Sequence, residues 1–413
     1  MYPPILDKAP RIELVTVIAV MGLAVLAISM LGPILPLYLT SIDVSPDLLG
    51  LMFSTAMVGM VLGESSWGWF ADRVGLKLPL IVGTAFSALV VLSFAFTENI
   101  PTIFTIFFVW GLLRSAIFGP GRGYIASVAP PLKKATFLAI MTVMMAASRS
   151  VGALPSGFIA DNLGYNEVFY VSCGIGCIGG ELVLLGLRKK PWRELRSIRQ
   201  QPDSGVPTTK SGSIFAIFRP LAPQCLVAAL QFLGLGVFIT FLPLLATQVV
   251  GITATQVGIL FTIGGIVTVV LGIPMGILAD RIGKKTCMIL GLLVSMVALA
   301  ALAYVDSYLL LIFLVSLRSL GMALFSPSAL GLLSDSVPIQ RQSTVMGIYG
   351  GFCENIGVIA GAALGGFLWS AWGYQITFLT AAAVTALGVV ICLILVKIRR
   401  EDHNLAGIND CDC

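Results

Sequence analysis

The sequence predicts an all-α membrane protein of twelve transmembrane helices, arranged as two pseudo-symmetric six-helix bundles. Three observations carry that prediction. Apolar runs of about 20 residues recur along the whole chain, each long enough to cross roughly 30 Å of hydrocarbon as a helix. Of 413 residues, 57% are hydrophobic and 11% charged, with a mean hydropathy of +0.99, whereas a soluble domain carries roughly a quarter charged residues. Finally, the stretch GWFADRVGLK at Gly68 to Lys77 returns 208 positions later as GILADRIGKK at Gly276 to Lys285.

Taken in order, the apolar runs place spans near 14–40, 48–70, 78–97, 101–128, 135–160 and 166–187. A second set follows near 214–249, 253–279, 286–305, 307–335, 342–370 and 373–397. The first run is too long for a signal-peptide core and has no small-residue cleavage site, so it reads as a span. The 44 glycines and 21 prolines suit transmembrane helices. Orientation follows from the basic residues. Of the 25 Lys and Arg, 21 fall in the N-terminus, in the connections near Arg73, Lys133, Lys189, Lys284 and Arg341, and in the C-terminal tail. The opposite loops hold Asp43, Asp47, Glu98, Asp161, Glu167 and Asp306 and neither Lys nor Arg. The positive-inside rule therefore predicts a multi-pass protein of the cell (plasma or inner) membrane with both termini cytoplasmic. The net charge of +5 reflects this topology and anionic lipid headgroups, and a nucleic-acid partner is not expected.

The repeat extends well beyond the quoted stretch. At 208, Gly50 meets Gly258, Phe53 meets Phe261, Gly83 meets Gly291 and Pro130 meets Pro338. At 209, Gly152 meets Gly361, Gly157 meets Gly366, and LGYN (Leu163 to Asn166) meets WGYQ (Trp372 to Gln375). Such a register implies a parallel duplication about an axis along the membrane normal. It gives bundles at 1–187 and 214–397, a polar, basic cytoplasmic linker at 188–213 and a cytoplasmic tail at 398–413.

The doubled motif resembles the signature of the major facilitator superfamily of secondary transporters, most closely its drug/proton antiporters. G-x-x-x-D-R-x-G-x-K fits Gly68, Asp72, Arg73, Gly75 and Lys77, and again Gly276, Asp280, Arg281, Gly283 and Lys285. LGPILPLYL (Leu31 to Leu39) is similar to the antiporters' first span, and Arg114 to their span 4 arginine. In span 5, Gly152 and Gly157 keep the outer glycines of the antiporter bend while the proline stands at Pro155. The resemblance implies proton-coupled efflux of small amphipathic or organic molecules by alternating access. Uptake symport or facilitation of sugars or organic anions is the alternative, and a non-transporting scaffold or receptor is remote.

Physically, the glycines of the doubled motif let helices approach closely. Asp72 can face the positive N-terminal end of a helix in the other half, which the resemblance implies is span 11. Arg73 and Lys77 can pair with acids or carbonyls of span 4, making a polar cytoplasmic gate. The resemblance further implies that Asp335 answers the arginine in the second half, where Ser127 stands in the first.

Ionisable residues inside spans are costly and point to function. They are Glu64, Arg114, Arg122, Arg149, Glu181, Arg318 and Glu354. Helical rise puts Arg114, Arg149, Arg318 and Glu354 near mid-depth. The resemblance implies that spans 1, 4, 7 and 10 line the cavity, so Arg114 and Arg318 are expected to meet substrate or a coupled carboxylate. Glu354, then Glu64, is expected to carry the proton, and Glu181 to partner an arginine. Arg122, in GPGRG, is expected at the cytoplasmic mouth. The only histidine, His403, lies in the tail. A catalytic Ser/His/Asp set, a phosphate loop, a metal site and a cofactor are not expected, and Cys411 and Cys413 alone do not make one. The partners are a small-molecule substrate, protons and the lipid bilayer, with the protein a monomer.

Overall fold

Hydrocarbon offers no water to satisfy backbone N–H and C=O groups, so a chain this apolar crosses it as helix. The computed structural model describes residues 9–128, 134–187, 221–337 and 345–396, apart from 347. The N-terminal half holds α1 (Ala9–Ser41), α2 (Pro46–Val74), α3 (Lys77–Phe96), α4 (Ile100–Arg114 and Phe118–Val128), α5 (Lys134–Asn162) and α6 (Tyr165–Gly186). The C-terminal half holds α7 (Ala222–Val249), α8 (Ala254–Ile282), α9 (Lys284–Leu302), α10 (Tyr308–Asp335), α11 (349–372) and α12 (374–395). The last two run on through a sharp turn at Gly373. Among the described residues no strand occurs. Span 7 was expected from residue 214, but 214–220 lie outside the described residues, as do the linker, Lys133, Lys189, His403, Cys411 and Cys413.

The helices alternate between a terminal face, where α1 begins and α12 ends, and a distal face. The turns at both faces repeat. Gly75 and Gly283 end α2 and α8 with φ of 94° and 100°; Gly164 and Gly373 follow α5 and α11 with 117° and 85°. Only glycine takes this left-handed backbone without strain. Asp43, at φ 58°, stands 208 positions before Gly251 at 73°.

The apolar core divides unequally between the faces. Toward the distal face one continuous cluster joins both halves, running from Leu31, Phe94 and Phe107 through Phe241, Leu299 and Phe378. Toward the terminal face the two larger clusters each stay within one half. One gathers Leu14, Met21, Leu80, Ile117 and Val183 of the first half, and the other Val227, Leu292, Phe325, Leu332 and Val389 of the second. The halves are fused at one end and distinct at the other.

Candidate functional site

Two pseudo-symmetric seams join the halves, α5 against α8 and α2 against α11. Glycines make both. A methyl group at Gly157 would collide with the Ala254 carbonyl, and one at Gly366 with that of Pro46; Gly50 and Gly258 sit equally close to Ala362 and Ala153. At the distal end each seam is tied by a carboxylate. Asp161 accepts hydrogen bonds from the Ala254 N–H (3.1 Å), the Thr255 N–H (2.7 Å) and the Thr255 hydroxyl, seating its charge on the N-terminus of α8. The Ser370 hydroxyl donates to Asp47 Oδ1 at 3.1 Å and accepts from the Asp47 N–H at 3.1 Å. In the repeat register Asp161 corresponds to Ser370 and Asp47 to Thr255, so acid and hydroxyl have exchanged places between the seams.

Deeper, the α2–α11 seam carries charge. Glu64 reaches across it, and a Cβ at Gly351 would lie 3.3 Å from its Oε2. Glu354 ends a π-helical segment, Tyr349–Glu354, a distortion frequent at functional sites. Glu64 interacts with Arg122 and Arg114, Glu354 with Arg122 and Glu64, and Arg149 with Arg122. Both carboxylates are half-buried, while Arg122 and Arg149 are exposed. None of these charges is in direct ion-pair contact; among the described residues the ion pair is Lys284–Asp335.

Arg122, itself exposed, is the cation these groups share. Its placement comes from a break in α4. Residues Ser115–Ile117 form tight turns closed by Ala116 N–H to Leu113 O and Ile117 N–H to Arg114 O. Pro120 follows in the first turn of the next segment, where a missing N–H costs least.

Arg114 is 6% exposed and rests on sulfur and a ring: its Nη2 lies 3.7 and 3.6 Å from the Met57 and Met60 Sδ atoms, and its Cζ lies 4.3 Å from the Trp110 centroid. Arg318 is 1% exposed and receives one hydrogen-bond acceptor, Ser295 Oγ at 3.3 Å.

Several expectations need correction. Lys77 does not answer span 4; its Nζ donates to the carbonyls of Leu184 (2.7 Å) and Leu187 (2.9 Å), capping α6. Lys285 does the same for α12 through Leu393 O at 3.0 Å. Arg73 stacks on Trp69 of its own helix, 3.7 Å from the ring centroid. Asp335 pairs with Lys284 at 2.6 Å and not with Arg281. The first-half counterparts of that pair are Leu76 and Ser127, so both partners are missing there. Gly68 faces open space rather than a neighbouring helix. Glu181 is exposed and, among the described residues, partners no arginine. The α5 helix continues through Pro155, with Gly152 packed on Ser29 and Leu26 of α1 and Gly157 in the seam. Gly276 lies near Pro327, and Asp280 and Arg281 are exposed at the end of α8. The Asp72 side chain lies outside the described residues. Sequence reasoning did not single out Gln231, Ser295, Asp47 or Asp161 as contact residues; their positions in the repeat register were the available signal.

The Major Facilitator Superfamily profile matches residues 17–222 and 224–409. The chain belongs to that superfamily. Among curated relatives of this family member, the multidrug resistance protein MdtG of Klebsiella pneumoniae (strain 342) is 24% identical over 381 residues, covering 88% of each chain. An uncharacterised MFS-type transporter of Methanocaldococcus jannaschii is 21% identical over 344 residues, covering 83% of this chain and 87% of that one. Of solved structures, the nucleoside transporter NupG superposes with a TM-score of 0.76 at 15% identity, covering 94% of this chain and all of its own. A bacterial homolog of the human lysosomal transporter Spinster, inward-facing and occupied, superposes with a TM-score of 0.76 at 12% identity, covering 95% and 98%. The solved structures show the fold, and the superfamily match makes the chain a multi-pass membrane transporter.

Proposed function

We propose that this transporter exports small amphipathic or organic molecules in exchange for protons, rocking its two halves about the seams. In this reading both termini are cytoplasmic and the protein is a monomer of the cell membrane. The bundles are 1–187 and 214–397, joined by the 188–213 linker and followed by the 398–413 tail. The terminal face is then the cytoplasmic one. One observation carries the reading: Glu64 of the first half reaches across the seam to Gly351 of the second, beside the π-helical segment that ends in Glu354, and neither carboxylate is in an ion pair among the described residues. Charges so arranged re-pair when the halves tilt, and a carboxylate's proton affinity follows its water access and its distance from a cation. The distal clasp supports a conformation open toward the terminal side, and the MdtG relatives support export.

The energetics suffice. One proton moving down about 100 mV and one pH unit releases roughly 3.7 kcal/mol, enough for about a 500-fold substrate gradient. The second-half Lys284–Asp335 pair, being partly exposed, contributes roughly 0–1 kcal/mol and opens thermally.

Proteoliposomes loaded with a pH-sensitive dye test this. Adding a fluorescent amphipathic dye under an imposed pH gradient should move protons and dye in opposite directions. Co-directional movement would assign the protein to uptake symport, and dye flux without proton movement to facilitation.

A further inference from the structure

The second half carries a buried polar cluster that the coupling set does not use. Arg318 of α10 is 1% exposed, and Gln231 of α7 and Ser295 of α9 are 0% exposed. Ser295 Oγ accepts from Arg318 Nη1 at 3.3 Å and from Gln231 Nε2 at 2.9 Å. Arg318 Nε and Nη2 and Gln231 Oε1 have no partner at all. No carboxylate among the described residues acts on Arg318, in contrast to Arg114, which feels Glu64. A guanidinium buried this way, in a bilayer, is expensive unless something completes it.

The repeat shows that the fold does not require the cluster. At the offset of 208, Arg318 corresponds to Trp110 and Ser295 to Ser87. Pro36 and Pro243 set an offset of 207 for α1 and α7, so Gln231 corresponds to Ala24 and Phe238 to Leu31. All four counterparts line one remnant space of about 10 Å³ in the first half. There the position is filled by apolar packing, and the bundle folds without a charge.

The free atoms of Arg318 also have a particular geometry. With Nη1 on Ser295, what remains is the Nε–Nη2 edge, whose two N–H bonds run parallel and match the two oxygens of a carboxylate. Gln231, joined to Arg318 through Ser295 Oγ, keeps its carbonyl oxygen as a free acceptor in the same cluster. The Phe238 ring, 5.8 Å from the guanidinium carbon, supplies an apolar wall. Met322, whose sulfur lies 3.5 Å from Gln231 Nε2, is only half-buried, unlike the three polar residues.

We propose that Arg318, Ser295 and Gln231 form a binding site for the carboxylate of a small amphipathic organic acid, with Gln231 Oε1 taking a hydroxyl or N–H donor of the same molecule. The proposal rests on the transport reading for its biological sense and names the substrate class as anionic.

The test is binding to purified full-length protein in detergent, read as ligand-induced thermal stabilisation. The probes are benzoate, 3-hydroxybenzoate and 4-hydroxybenzoate, each against its uncharged amide. The acids should stabilise the wild type and the amides should not. Arg318→Gln should weaken the acid response about 10- to 100-fold. Gln231→Glu places a carboxylate against the free guanidinium edge; it should raise the melting temperature and abolish the acid response, so lost binding is not confused with lost folding. Equal responses to acids and amides would overturn the assignment, as would silence toward all three acids or acid responses that persist in both variants. Since no gradient is involved, failure here leaves proton coupling standing, and failed coupling leaves this site standing.

Discussion

The two ends of the contact between halves are built on opposite principles. Distally, one apolar core is shared, glycines bring backbones together, and Asp161 and Asp47 tie helix ends with short hydrogen bonds. Toward the terminal face the cores are separate, and what the halves share is a set of charges held apart. The first arrangement specifies one geometry. The second fixes no contact pair, and in the proposed mechanism Arg122 favours Glu64 or Glu354 as the tilt changes. Tight packing at one end and exchangeable electrostatics at the other is what a rocking transporter needs.

Perturbations of the two ends should rank accordingly. The largest effect is expected in the charged region. Glu354→Gln or Glu64→Gln should remove proton-driven accumulation, collapsing a gradient of up to about 500-fold to none, while dye binding measured without a gradient persists. Next comes the packed seam. Gly157→Leu or Gly366→Leu overpacks it by about 1–3 kcal/mol and should open the distal face, seen as faster thiol labelling of a cysteine placed at exposed Leu163. Asp161→Ala removes the clasp on α8, at about 1 kcal/mol, and should raise the same labelling rate several-fold. Ser370→Ala, losing a single hydroxyl contact, should do less. The smallest effect belongs to Lys284→Ala with Asp335→Asn: no more than about 1 kcal/mol together, a shift of a degree or two in melting temperature, and less than the sum of the single variants.

Much of this was legible in the sequence, for reasons that differ by residue. Hydropathy exposed the spans because lipid tolerates little else, and the 208-residue echo exposed the duplication. The glycines of the doubled motif were read as close contacts, but Gly75 and Gly283 serve left-handed turns instead, and the close approaches between halves fall on Gly50, Gly157, Gly258 and Gly366. The functional pairings were harder to read. Lys284 and Asp335 pair across 51 positions, and their loss in the first half shows only when Leu76 and Ser127 are aligned beneath them. Arg73 was expected to pair with acids or carbonyls of span 4, whereas its guanidinium lies over Trp69, one turn back on its own helix. The Arg318 cluster draws its members from three helices, and no linear pattern brings them together.

The central claim, that the halves rock so that one face closes as the other opens, is tested most directly by paired distances between spin labels. In a variant whose native cysteines are replaced, one pair would occupy Leu163 and Trp372 at the distal face and another Val74 and Ile282 at the terminal face, all exposed. On lowering the pH, or with Glu354→Gln to mimic the protonated state, the 163–372 distance should lengthen while the 74–282 distance shortens. Two distances that change in the same direction, or that both stay fixed while transport proceeds, would contradict the account.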